Sequence, residues 1–353
     1  LGTIRLLTGQ LEQARSDLER SCQITADLAA AHPLDPAYRQ DLARRHMDLG
    51  LVLRDLHRAE DSEAAYRRAI AIDEALAAES PEVPDHRKDL AAAQNHLAVL
   101  LKVAGRRGEA EVGFRGAIAA FRGLLEADPL ESRYASGLAM ALNNLGTVLQ
   151  ETGRKAEALD VLRETLATRQ RLADSDPRLL ENREGLAINH RNLAELLEGL
   201  GQRAEALNHM RQAMNCSAGL VADFPGVPRH RRRLATAHDN LGLLLSLERR
   251  YGESEAEYRK ALVILERLAE DQPEDPGNAA ALASGHGNLG IVLAEQGRAS
   301  EAEGEYHKAL EIKERLVKEH PGTPSYAVSL GGTLCNIANL LRDAARPLDA
   351  LPW

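Results

Sequence analysis

The sequence predicts an all-α protein, a solenoid of antiparallel helix pairs. Three observations predict it: side chains return every 48 residues without insertion or deletion, apolar spacing within each repeat is helical, and prolines fall only between helices or at a helix start. Leu42, Leu90, Leu138, Leu186, Leu234, Leu282 and Leu330 form one column, and Leu28 to Leu316 a second at the same step. Pro33, Pro81, Pro129, Pro177, Pro225, Pro273 and Pro321 form a third. Three unbroken columns in one register define the repeats 42–89, 90–137, 138–185, 186–233, 234–281 and 282–329, with partial repeats at 1–41 and 330–353, as one array over 1–353.

Each repeat opens with a first helix. Leu138, Leu142, Leu145 and Leu149 recur at steps of four, three and four, one stripe on a helix of about 3.6 residues per turn. A break follows at Gly153-Arg154, where glycine admits the left-handed conformation that ends a helix. Gly9, Gly105, Gly201 and Gly297 share that column, and His57, Arg249 and Ala345 are its exceptions. A second helix then runs from about Ala156 to Ser175, stopped by Asp176-Pro177. Twelve of the 14 prolines lie between repeats, and Pro347 and Pro352 fall at the start of a last second helix. Leu1-Gly2 occupies a mid-helix slot and Trp353 lies a few residues into a second helix, as expected of a piece of a longer array whose open ends would allow end-to-end self-association.

Composition narrows the function. Leu, Ala, Glu and Arg favour helix, and only 3% of residues are aromatic. A formal charge of −9 argues against nucleic-acid and anionic-membrane partners. No apolar run is long enough to span a bilayer. Cys22, Cys216 and Cys335 form no CxxC and read as free thiols, so the cytoplasm is the expected compartment.

Candidate chemistry is sparse. Gly285-His286-Gly287-Asn288-Leu289-Gly290 spells GxGxxG, but a phosphate cradle needs a strand before it and a helix starting at it, and these residues sit inside a first helix. His46, His190, His238 and His286 share a column without a carboxylate or thiol at zinc-like spacing, so packing is expected and no metal. No nucleophile–base set converges; no catalytic residue and no cofactor is expected. Arg229-His230-Arg231-Arg232-Arg233 is a basic run expected to be a solvated face.

In Asn288-Leu289-Gly290, then Gly297, Ala302, Tyr306 and Ala309, the order of small and large residues resembles the tetratricopeptide repeat. Ala98, Ala194 and Ala338 replace the mid-helix glycine elsewhere, and Ser62 and Ser254 the early alanine. The usual unit has about 34 residues, so both helices are longer here, and the early aromatic of the first helix is absent. The resemblance implies a right-handed superhelical solenoid that serves as a protein–protein interaction scaffold, with first helices lining a concave groove. There it places the column Asn144, Asn192, Asn240, Asn288 and Asn336, preceded by Asp48 and His96. A carboxamide offers both donor and acceptor to an extended peptide backbone, or equally to a neighbouring helix that it would merely order. Thr147, Glu195, Leu243, Ile291 and Asn339 vary beside it and would set side-chain preference. At the family's basic positions for a C-terminal carboxylate stand Asn95, Asn143, Arg191 and Asp239, of which only Arg191 could serve. The long repeats also resemble arrays appended to bacterial serine/threonine protein kinases, although none of the kinase motifs occurs in the chain.

Overall fold

A computed structural model describes residues 11–176 and 179–344. Among these the chain forms fourteen helices and no strand. They are α1 (Leu11–Ala31), α2 (Pro36–Asp55), α3 (Ala59–Glu79), α4 (Pro84–Val103), α5 (Arg107–Ala127), α6 (Ser132–Glu151), α7 (Lys155–Ser175), α8 (Leu180–Glu198), α9 (Arg203–Asp223), α10 (Pro228–Leu247), α11 (Tyr251–Asp271), α12 (Pro276–Glu295), α13 (Ala299–Glu319) and α14 (Pro324–Asp343). Even-numbered helices are the first helices of the repeats and odd-numbered ones the second. The helices gather into two compact halves, Leu1–Arg178 and Leu179–Trp353. Within each half every helix packs on its neighbours in sequence, as in a solenoid of helix pairs. Pro347, Pro352, Leu1-Gly2, Gly9 and Ala345 lie outside the described residues.

The punctuation behaves as its chemistry dictates. Asp35 and Asp275 accept from the backbone N–H of Ala37 and Gly277, at 2.9 and 2.8 Å, and a proline fills the first turn behind each cap. At the other end Gly105, Gly153, Gly201 and Gly297 have φ between 75° and 80°, closing the first helices with a left-handed residue. His57 and Arg249 take the same conformation at φ 59° and 58° although each carries a Cβ. The turn geometry is therefore imposed by the repeat, not by glycine alone.

Close approach inside the pairs follows from small residues facing large ones, a ring in some pairs and Leu162 opposite Gly146 in another. A Cβ at Gly50 would meet Tyr66 Cε1 at 2.5 Å, and one at Gly290 would meet Tyr306 Cε1 at 2.6 Å. Ser62 and Ser254 donate to the carbonyls of Gly50 and Gly242 at 2.7 and 2.6 Å, which satisfies the hydroxyls inside the core. In the C-terminal half Tyr258, Leu262, Leu289, Leu293, Tyr306 and Ile337 belong to one continuous core spanning three repeats.

The seams between repeats are individually matched. A second-helix residue meets the residue sixteen positions later, on the next first helix. Phe121 fills the space left by Gly137, where a Cβ would lie 2.3 Å from the ring. Leu265 packs with Ala281. The buried Lys313 donates to Thr333 Oγ1, twenty positions on, at 2.7 Å and to the carbonyl of Ser329 at 3.2 Å. Asp73 is 1% exposed near Asp89, and its Oδ1 has no hydrogen-bond partner among the described residues.

Candidate functional site

All five asparagines of the column are half-buried on first helices, on α6, α8, α10, α12 and α14. Their environments differ. Asn144 donates its amide to Asn95 Oδ1 on α4 at 3.1 Å, and Asn288 donates to Asp239 Oδ1 on α10 at 2.9 Å. In both, the acceptor lies one repeat earlier and one residue N-terminal to the column. These two side chains tie successive first helices together, and only their carboxamide oxygens remain without a protein partner among the described residues. Asn240 and Asn336 make no hydrogen bond among the described residues and keep both donor and acceptor. Asn192 accepts from Arg191 at 3.4 Å.

The flanking positions are equally uneven. Thr147 turns its hydroxyl back onto the carbonyl of Asn143, 3.0 Å away. Arg191 and Glu195 face each other at 3.5 Å on one side of α8, so the guanidinium considered for a carboxylate is already beside an acid. Asn339 is exposed on α14. Leu243 and Ile291 are 50% and 41% exposed, three residues beyond Asn240 and Asn288 on the same helix faces. The first-helix face of the C-terminal half thus combines open amides with uncovered aliphatic side chains.

Three members of the histidine column pair across their helix hairpins, whereas His46 Nδ1 lies 3.8 Å from Cys22 Sγ on α1. His238 Nδ1 lies 2.6 Å from Glu257 Oε2, His286 Nδ1 lies 2.6 Å from Glu305 Oε2, and His190 Nδ1 lies 3.0 Å from His209 Nδ1. Burial, together with His209, lowers His190 to about 4, which keeps its ring neutral at ordinary pH. Among the described residues no three His, Cys, Asp or Glu side chains come together to hold a metal. Reading the histidine column alone misses these pairings; the signal that could have found the three hairpin pairs is their shared 19-residue offset to a second column.

The basic run is paired with neighbouring acids, while Arg229 and Arg232 stay exposed to solvent. Glu184 on α8 lies 3.2 Å from Arg229, 2.8 Å from His230 and 3.3 Å from Arg233. Burial alone would raise the Glu184 carboxyl, but the His230 hydrogen bond and the two arginines outweigh it and hold it below its ordinary value. Arg231 pairs with Asp271 at 2.6 Å and Arg232 pairs with Asp275. The GxGxxG residues lie wholly inside α12. Among the described residues no helix is long and apolar enough to cross a membrane.

A tetratricopeptide-repeat family model matches residues 138–178 and 287–322. Among curated proteins no sequence matches the chain. Several solved structures share the fold. BtubC (BKLC) of P. vanneervenii is 22% identical, with a TM-score of 0.52 over 68% of this chain and 85% of that one. Nro1, a hypoxic regulator of sterol synthesis described as a nuclear import adaptor, is 12% identical, with a TM-score of 0.56 over 90% and 99%. The Rap conjugation gene regulator of plasmid pLS20, solved with the Phr* peptide, is 16% identical, with a TM-score of 0.50 over 90% and 73%. The two matched segments stand in one 48-residue register, on helix pairs of this fold, and are similar to tetratricopeptide repeats.

Proposed function

We propose that the chain is a protein–protein interaction scaffold, not an enzyme, and that it grips an extended peptide or partner segment along its first helices. The observation that carries this reading is the Asn240 carboxamide, half-buried and unpartnered among the described residues, beside the exposed Leu243. Such an amide can donate to a peptide carbonyl and accept from a peptide N–H, while the leucine takes an apolar side chain. Asn336 offers the same pair of bonds, and Asn144 and Asn288 offer an acceptor each. The Rap regulator, similar in fold, is a peptide-bound example that supports the reading. The cytoplasm is the compartment the reading takes.

Recruitment of substrates to a serine/threonine kinase domain outside the chain is the variant of this proposal that the repeat spelling favours. Residues such as Glu255-Ala256-Glu257-Tyr258-Arg259-Lys260-Ala261-Leu262 carry that resemblance. Peptides selected from a random library on the intact chain test the proposal. Asn240→Ala should weaken the peptides held on this face about three- to tenfold, one lost amide pairing of about 0.5–1.5 kcal/mol, with the melting temperature unchanged. If every selected peptide binds Asn240→Ala and Leu243→Ser as tightly as the parent, the first-helix face is not a binding surface.

A further inference from the structure

On the opposite side of the first helices the N-terminal half carries a slot that the repeat pattern does not predict. It lies between the second helices α3 and α5, is floored by α4, and encloses about 630 Å³. That volume is within the roughly 300–1,000 Å³ usual for ligand sites. Two departures from the register open it. Gly113 alone lacks a side chain in the column Asp17, Ala65, Val161, His209, Glu257 and Glu305, and Gln94 stands in the column of His46, Leu142, His190, His238, His286 and Leu334. Gly116 stands where the chain elsewhere carries Arg20, Arg68, Glu164, Gln212, Lys260 and Lys308.

The consequence is visible in the core. Leu49, Leu145, Leu193, Leu241 and Leu289 are all at most 7% exposed, whereas Leu97 in the same column is only half-buried and lines the slot. Val112 adds an aliphatic wall at 73% exposure, in a column that otherwise holds Ser16, Ala64, Asp160, Asn208, Ala256 and Gly304. Side chains that would seal the leucine are missing at the one place where an apolar residue is added to the rim.

The polar groups at the slot have a sign. Arg67 is held by Glu63 at 2.7 Å, and Glu109 is held by Arg106 at 2.5 Å. Glu74 lines the slot with no hydrogen bond or ion pair among the described residues, and the Gln94 amide is likewise unpartnered. The uncompensated charge is therefore negative, and a donor and an acceptor wait on the floor.

We propose that this slot is a second protein-binding site, which takes a large aliphatic or aromatic side chain of a partner segment on Leu97, Ile70 and Val112, with a lysine or arginine of that segment against Glu74. The anchor is buried by the slot and its backbone is met by Gln94, so the site reads a short apolar–basic motif. It is independent of the asparagine column and lies on different helix faces.

A random dodecapeptide library displayed on phage, panned on the full chain with the Gly116→Lys chain as subtractive target, tests the assignment. Lysine fits this column at Lys260 and Lys308, and a Cβ at Gly116 meets only Gln94 Oε1, at 3.4 Å, so the substitution covers the slot without disturbing the helix. Selected peptides should carry a large apolar residue next to lysine or arginine. They should lose at least tenfold affinity on Gly116→Lys, about threefold on Glu74→Gln, and nothing on Asn240→Ala. Val112→Ser, at an exposed position, should weaken them even if Gly116→Lys alters the fold. Recovery of no such peptides, enrichment of acidic ones, equal binding to Val112→Ser and Gly116→Lys, or loss on Asn240→Ala would each overturn the proposal.

Discussion

The amide of Asn288 donates to Asp239 Oδ1 across the space between α12 and α10, at 2.9 Å. Burial raises the Asp239 carboxyl and this hydrogen bond opposes the rise, so the bond stabilises a charge in a half-dry position. Asn288→Ala should therefore cost about 1–3 kcal/mol, the penalty of stranding a polar partner. Asn240→Ala removes no bond and should change stability by less than about 0.5 kcal/mol. Urea unfolding of both variants checks the contrast; equal losses would mean that the two asparagines do the same work.

Asp73 makes stability depend on pH. Its carboxyl is pushed up from 3.8 to about 7 by burial first and by Asp89 next, opposed by Arg44 on α2 and Lys88 on α4. A raised carboxyl favours the protonated fold: the contribution is complete below about pH 4 and is lost as pH rises through about 7. Asp73→Asn should therefore stabilise the chain by a few kcal/mol at pH 8, since each tenfold change in proton affinity is worth about 1.4 kcal/mol. The gain should vanish towards pH 4. Urea midpoints of parent and variant at pH 4, 6 and 8 measure this.

His57 and Arg249 hold a conformation that glycine adopts without strain. His57→Gly and Arg249→Gly should each be neutral or stabilising by up to about 1 kcal/mol, because the relieved strain exceeds the added freedom of the unfolded chain. Thermal unfolding of the two variants would reveal a loss if the parent turns were relaxed.

Leu193 and Leu289 are 0% and 1% exposed. Leu193→Ala and Leu289→Ala should each cost about 2–5 kcal/mol through lost burial and the cavity left behind. Leu97→Ala, in the same column but open to the slot, should cost less than either. Denaturant midpoints for the three rank them.

Most of the fold was legible because backbone geometry repeats with the sequence. Every first helix begins 48 residues after the last, from Pro36 to Pro324, and every second helix does the same from Leu11 to Ala299. The site was less legible because a column shares a place, not a set of neighbours. Asn144 and Asn240 occupy equivalent positions, yet the residue 49 positions earlier is Asn95 for one and Arg191 for the other, and only the first can accept an amide. The pairing of the basic run was hidden for a related reason: its partners Glu184, Asp271 and Asp275 come from segments packed beside it, and local charge counting does not see them.

The sixteen-residue matches at the seams set what kind of change this protein tolerates. Excising 48 residues, for example 74–121, would leave every helix length and every loop intact. It would also set the carboxyl of Asp73 opposite Gly137, where the ring of Phe121 now sits. Backbone periodicity makes the number of repeats easy to alter, while the seams make their succession hard to permute. Duplication and loss can lengthen or shorten such a chain in one step, but a shuffled order has to wait for compensating substitutions on both sides of each new junction.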